Sequence, residues 1–256
     1  MDNDTEQAAR LTQWASCFLI VVVFTVVGCA STQQPRGPLS GDVQESGFLE
    51  GLYPLMQEGE KGQALRVYRN PSIDSLPANA YDKILLDQVT IFYGPDSKLK
   101  DVPHDELQNL ATMFGAELAD KLSNDYQLVN ELGPKTLRIQ AAITDGKATS
   151  TALKAASFVP IPLGVPGAKA ALFKAKELAT GKPVFAGEIT AELKMTDAQS
   201  DEVLFAAVDR RVGERLGGGW ESWTDAEEAF RYWAEKIRYG LCTELRRQTD
   251  CVAPEA

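Results

Sequence analysis

Hydrophobic positions along the chain change pattern twice. Residues 14–27, WASCFLIVVVFTVV, form an apolar run without a charge. From about residue 47 onward, short alternating stretches and helical periods take over. Residues 83–93, KILLDQVTIFY, are dense in β-branched and aromatic side chains and stop at Gly94-Pro95, which predicts a strand followed by a turn. Over 103–123, Leu107, Leu110, Ala111, Phe114, Leu118 and Leu122 recur at helical spacing. Pro103 suits the first turn of that helix, and Asp105 and Glu106 complement its positive end. A short strand over 126–130 is joined through Leu132-Gly133-Pro134 to a second over 136–144, where Leu137, Ile139, Ala141 and Ile143 alternate with Arg138, Gln140 and Thr144. The clearest strand covers 185–195. Ile189, Ala191, Leu193 and Met195 face one way, and Glu188, Thr190, Glu192 and Lys194 the other, so one sheet face is expected to be covered and one wet. After a polar turn, residues 203–212 read as its hairpin partner. Thr224-Asp225-Ala226-Glu227 has the form of a capping box, opening a helix to about residue 247 with Phe230, Trp233, Ile237, Leu241 and Leu245 as its apolar stripe. Two amphipathic helices on one face of a mainly antiparallel sheet make an α+β domain.

That domain is expected to occupy residues 47–248 as a single unit, with 249–256 as a tail. Residues 30–46, ASTQQPRGPLSGDVQES, lack any hydrophobic period and read as a flexible tether with an r.m.s. reach of roughly 20–25 Å.

The apolar run is short for a permanent span, which needs ~20 residues, and its length suits the core of a secretory signal peptide. It ends in Val26-Val27-Gly28-Cys29, which resembles the bacterial lipoprotein box. The resemblance implies a signal peptide over 1–28, cleavage between Gly28 and Cys29, and acylation of Cys29 with diacylglycerol and a further palmitate-type chain. Two or more chains give stable anchoring. Ala30 after the cysteine implies, for a Gram-negative lipoprotein, the outer membrane with the body facing the periplasm. The leading MDNDTEQAAR departs from the usual positive start of a signal peptide.

Of four cysteines, cleavage would discard Cys17 and Cys29 would carry lipid. Cys242 and Cys251 remain. In an oxidising periplasm they either stay free or pair across a short loop, adding about 2–3 kcal/mol.

Composition narrows the chemistry. With 36 acidic and 26 basic residues among 256, the net charge is −10, which argues against a generic nucleic-acid binder. His104 is the single histidine, so every metal site that needs two is excluded. No nucleophile elbow, phosphate loop, dinucleotide fingerprint or paired CxxC occurs, and no cofactor is expected. Gly217-Gly218-Gly219 reads as a flexible turn, and His104 as a solvated residue. Asp87 and Asp209-Arg210-Arg211 are charges inside apolar runs, read either as an ion-paired network on the wet face or as an acid–base site. Trp220, Trp223 and Trp233 cluster at the last helix, with Trp233 expected in the core.

Charge is unevenly spread. Residues 146–182 hold six lysines against one acid, a net of +5, around the apolar centre SFVPIPLGVPGAKAALF. Cleavage of 1–28 takes the acids to 33 and the bases to 25, so the mature chain carries −8 and everything outside the insert −13. Such a segment either packs on the sheet with its lysines in solvent or forms a contact surface for an acidic partner or an anionic lipid, with Lys154, Phe158, Lys169, Phe173, Lys174 and Lys176 as the candidate residues.

Several stretches together resemble one family of bacterial lipoproteins, known as domain of unknown function 3313. They are GFLEGLYPLM (47–56), ILLDQVTIFYGPDSKLK (84–100), TLRIQAAITD (136–145), FAGEITAEL (185–193), AAVDRR (206–211) and the W-x2-W-x-D-A entry to the closing helix. The resemblance implies the location and the domain extent and supplies no mechanism or catalytic residue. The expected function is therefore that of a lipid-anchored, non-enzymatic, periplasm-facing binding or assembly module. Its membrane contact would run through the acyl chains on Cys29, its partner would be an envelope protein or an anionic lipid, and nucleic acid is not expected. The competing readings are an envelope hydrolase using Asp209 on a glycan or acidic polymer, and an oligomeric secretion or pore component.

Overall fold

Three long strands carry the architecture. In the computed structural model, which describes residues 32–36, 43–147, 187–213 and 223–254, they are β7 (Thr136–Lys147), β8 (Glu188–Asp197) and β9 (Val203–Gly213), paired antiparallel in sequence order. The β8–β9 hairpin forms where the alternation predicted it, turning through Asp197, whose carboxylate accepts from the backbone N–H of Gln199 and Ser200 at 2.9 and 2.7 Å.

Each outer edge of this meander is filled by two short strands. On β9, β3 (Arg66–Arg69) pairs along residues 205–208 and β1 (Thr32–Gln33) along 212–213, while β2 (Gln57–Glu58) hangs on β3. On β7, β4 (Lys83–Leu86) and β5 (Thr90–Ile91) pair one after the other, and β6 (Gln127–Val129) lies outside β4. The strand expected over 83–93 is thus two strands. At the break, Asp87 accepts a two-pronged hydrogen bond from Arg138, at 3.0 Å from Nε and 2.6 Å from the terminal nitrogen, so its charge is paired on the sheet.

The sheet is mainly antiparallel with one parallel patch. β4 pairs parallel with both β6 and β7, and β5 parallel with β7. The strands at 126–130 and 136–144 therefore are not neighbours. β4 lies between them because a parallel partner needs a crossover of a dozen or more residues, and α1 (His104–Ser123), 20 residues long, supplies it.

α1 and α2 (Thr224–Glu244) cover one face of the sheet. Leu107, Leu110, Phe114, Leu118 and Leu122 are buried as their spacing predicts, and Phe114 stacks on Phe230 at 4.8 Å between ring centres. Helix α2 begins with Thr224 as its first residue and not as its N-cap. Trp223 occupies the N-cap of α2 without a side-chain capping bond, and its indole N–H instead donates to Glu106 on α1 at 2.8 Å. Cys242, in the last turn of α2, and Cys251 beyond it are joined in a disulfide with Cα atoms 5.9 Å apart.

The face expected to be wet is partly covered. Residues 43–56 lie across it and bury Val43, Leu49 and Tyr53 against Ala206 and Val208. Glu192, polar in the alternation, is only 1% exposed.

Candidate functional site

Asp209, Arg210 and Arg211 sit near the end of β9, and strand alternation sends them to opposite faces. Asp209 and Arg211 point toward α2; Arg210 points the other way, with its Nε 3.4 Å from the hydroxyl of Thr190. All three are buried. The carboxylate of Asp209 accepts from the indole N–H of Trp233 at 2.7 Å, from the backbone N–H of Leu65 at 3.2 Å, and from the side-chain amide of Gln34. Burial pushes its pKa up, against the opposing pull of Trp233, Gln34 and the Arg211 charge. Arg211 lies over the ring of Tyr232 at 3.6 Å and donates to the Thr32 hydroxyl at 2.7 Å and to the Thr32 carbonyl. Burial lowers its pKa. The wet-face network expected here is thus a buried node in which N–H donors hold Asp209.

Two of those partners come from a stretch expected to be a free tether. Residues 32–36 are instead laid on the domain. Thr32 is buried in β1, Gln34 donates to the Gln63 carbonyl at 2.9 Å, and Arg36 donates to the carbonyls of Gly59 at 2.7 Å and of Glu60 and Gln63 at 3.0 Å. The expectation failed because a polar segment without a hydrophobic period can still be fixed by backbone pairing and by acceptors on a loop distant in sequence.

On the far side of Asp209, α2 stands off the sheet and leaves a cleft of about 310 Å³. Val67, Leu193, Phe205, Phe114, Trp233 and Ile237 are among the residues that line it. Arg69 and Glu244, paired at 3.0 Å, lie at one side; Asp209 and Lys236 lie at the other. Lys236 is half-buried, and its pKa is lowered by that burial against a pull from Asp209. Its Nζ lies 5.0 Å from the Tyr239 ring centre, and it makes no hydrogen bond or ion pair with any described residue. Gly240 also borders the cleft, where an added Cβ would meet nothing within 4 Å.

On the opposite face, Glu192 accepts from the Tyr53 hydroxyl at 2.7 Å, and that hydroxyl accepts from the backbone N–H of Gly47 and Leu49 at 3.0 and 3.2 Å. Burial raises the pKa of both Glu192 and Tyr53. This pair latches residues 43–56 to the sheet.

Sequence reasoning pointed to Asp209 and missed Gln34, Tyr53, Glu192, Lys236 and Gly240. The one available signal was Gly240, an isolated glycine inside a helical pattern. His104 is exposed at the start of α1, its Nε2 3.0 Å from the Gln108 amide nitrogen. Trp233 is in the core. Gly28, Cys29, Lys154, Phe158, Lys169, Phe173, Lys174, Lys176, the triple glycine and Trp220 lie outside the described residues. Among the described residues no group of three His, Cys, Asp or Glu side chains is placed to hold a metal, and no helix is long and apolar enough to cross a membrane.

The family described as "Protein of unknown function (DUF3313)" matches residues 44–237. The chain is 23% identical over 209 residues to "Uncharacterized lipoprotein YdcL" of Escherichia coli K12, covering 81% of this chain and 86% of that protein. Among solved structures it is similar to the PelC dodecamer from Paraburkholderia phytofirmans, at TM-score 0.35 and 11% identity over 65% of this chain and 92% of that one. It is also similar to the hypothetical protein CT253 from Chlamydia trachomatis, at TM-score 0.35 and 14% identity over 64% and 99%.

Proposed function

The chain belongs to the DUF3313 family, and from that premise we propose that it is a lipid-anchored cell-envelope protein whose domain is a non-enzymatic, periplasm-facing binding or assembly module held close against its membrane. The lipoprotein box at Gly28-Cys29 and the name of the E. coli relative support the anchor, and Ala30 supports the outer membrane.

One observation carries the close docking. Thr32, three residues after Cys29, is already buried in β1 and held by Arg211. Three residues span at most roughly 11 Å. An acyl chain on Cys29 would therefore start within that reach of the end of β9. That end is a row across the sheet, Lys147 beside Glu188, Glu188 beside Val212 and Val212 beside Gln33. The chain leaves the sheet at Lys147 and re-enters at Glu188 in this same row, which supports a common side for the basic apolar stretch 146–182 and the proposed anchor. A contact surface there would face an anionic lipid or an envelope protein at the bilayer surface. The non-enzymatic reading is supported by the state of the carboxylates on both faces of the sheet. N–H donors hold Asp209, Arg69 pairs with Glu244, and Tyr53 donates to Glu192.

The test is photocrosslinking of the full chain in intact cells from Lys147 and, separately, from Leu132, in the connection that leads into the opposite end of β7. Lipid adducts from position 147 and none from 132 are expected, with both lost from the membrane fraction in a Cys29→Ser background. Equal lipid labelling at the two positions overturns the orientation, and normal membrane attachment of the Cys29→Ser protein overturns the anchor.

A further inference from the structure

The cleft between α2 and the sheet has two properties that a merely imperfect core does not need. Its wall is apolar over most of its area, and Lys236, half-buried among the lining residues, has no hydrogen-bond acceptor among the described residues. The Tyr239 ring at 5.0 Å offers Lys236 about 0.5–1 kcal/mol, and the ammonium otherwise takes its hydrogen bonds from water, which an anionic group can replace. Asp209 attracts it from a distance but is already occupied by the indole of Trp233, the Leu65 N–H and the Gln34 amide. A second feature borders the same space. α2 carries Gly240 where alanine would favour the helix by about 0.5–1 kcal/mol and would meet no atom within 4 Å.

We propose that this cleft binds an anionic amphiphile, its apolar chain against Val67, Leu193, Phe205 and Ile237 and its head group on the ammonium of Lys236. The volume of about 310 Å³ lies at the small end of the ~300–1,000 Å³ range of ligand pockets, which suits one medium-length chain and not a whole two-chain phospholipid. Charge complementarity selects the head. The unpartnered group is a cation, and a carboxylate or phosphate monoester supplies the acceptor it lacks. The inference deepens the binding reading above and names its ligand class.

The experiment uses the chain from Ala30 onward, which contains every described element, titrated calorimetrically with decanoate, decyl phosphate, decanol and decylammonium. Saturable binding of decanoate or decyl phosphate at least tenfold tighter than decanol is expected, and the tighter anion tells a free fatty acid from a phosphate-headed source. Lys236→Met should bring the anions down to the level of decanol. Gly240→Leu, which extends a side chain from a position where a Cβ meets no atom within 4 Å, should abolish binding of all four while leaving the thermal midpoint equal or higher. Absence of saturable anion binding, tighter binding of decylammonium, or anion binding unchanged in both variants overturns the proposal. Any of these outcomes with position-147 lipid crosslinking retained leaves the docked lipoprotein intact, so the two ideas fail separately.

Discussion

The indole N–H of Trp233 on α2 meets Oδ2 of Asp209 on β9 at 2.7 Å, and this bond ties the closing helix to the strand that also receives the N-terminal segment. Through the other carboxylate oxygen the same aspartate holds Gln34 and the backbone of Leu65. Helix, sheet edge and the stretch following Cys29 thus share one buried acceptor. Trp233→Phe keeps the aromatic packing against Phe114 and removes one donor from a buried carboxylate. A loss of about 1–3 kcal/mol is expected from urea denaturation, and an unchanged midpoint would show that Asp209 does not depend on the indole.

The Glu192 latch makes a pH prediction of definite sign. Its pKa is raised on folding from 4.5, so the folded state binds the proton more tightly than the unfolded chain. Its contribution to stability is therefore present at low pH and is lost as the pH rises from about 4.5 through the raised value. Glu192→Gln removes this dependence. The stability difference, variant minus wild type, should move in favour of the variant between pH 4 and pH 7, as read from denaturation curves at both ends; a constant difference would refute the raised pKa.

Two glycines should respond to alanine with opposite signs. At Gly59 a Cβ would fall 1.9 Å from the Ala64 carbonyl oxygen across the β2–β3 turn, where backbone cannot give way. Gly59→Ala is expected to cost roughly 1–3 kcal/mol and to loosen Arg36, which binds the Gly59 carbonyl. Gly240→Ala meets open space and should gain about 0.5–1 kcal/mol in helix propensity. Thermal melts of the two single variants check the pair, and a destabilised Gly240→Ala would mean that the space beside α2 is filled.

The disulfide holds the chain after α2 in place. Arg247, within its loop, donates to the carbonyls of Ile73 and Asp74 at 3.1 and 3.2 Å, and Leu245 accepts from the Asn79 N–H at 3.1 Å. Cys242→Ser with Cys251→Ser should lower stability by about 2–3 kcal/mol, and a reductant should do the same to the wild type and nothing to the double variant. Equal melting of the oxidised and reduced wild type would count against the bond.

How much was legible is clear from particular residues. The helix over 104–123 and the hairpin of β8 and β9 follow from their periods, since each repeat places enough apolar surface on one side to require burial. Residues 83–93 misled because β-branched density reports a preference for extended backbone and is silent on where pairing breaks; regular pairing with β7 lapses between Asp87, whose N–H still donates to Ile139, and Thr90. The cleft was not legible at all. Phe205 and Ile237 have the same apolar character whether they touch or stand apart.

The sequence by itself determined which residues share a side of each strand and helix, the α+β class, the pairing of β8 with β9, and the lipoprotein address as an expectation. Tertiary structure decided what lies over each side. Glu192 alternates like a solvent-facing residue and is buried because Tyr53, 139 positions away, lies across it. Residues 32–36 have the composition of a tether and are fixed because β9 offers a free edge and Arg211 a donor at that height. Periodicity is a property of one element and records only which residues face together. Burial, pKa and open space depend on a second element whose position along the chain carries no local signal.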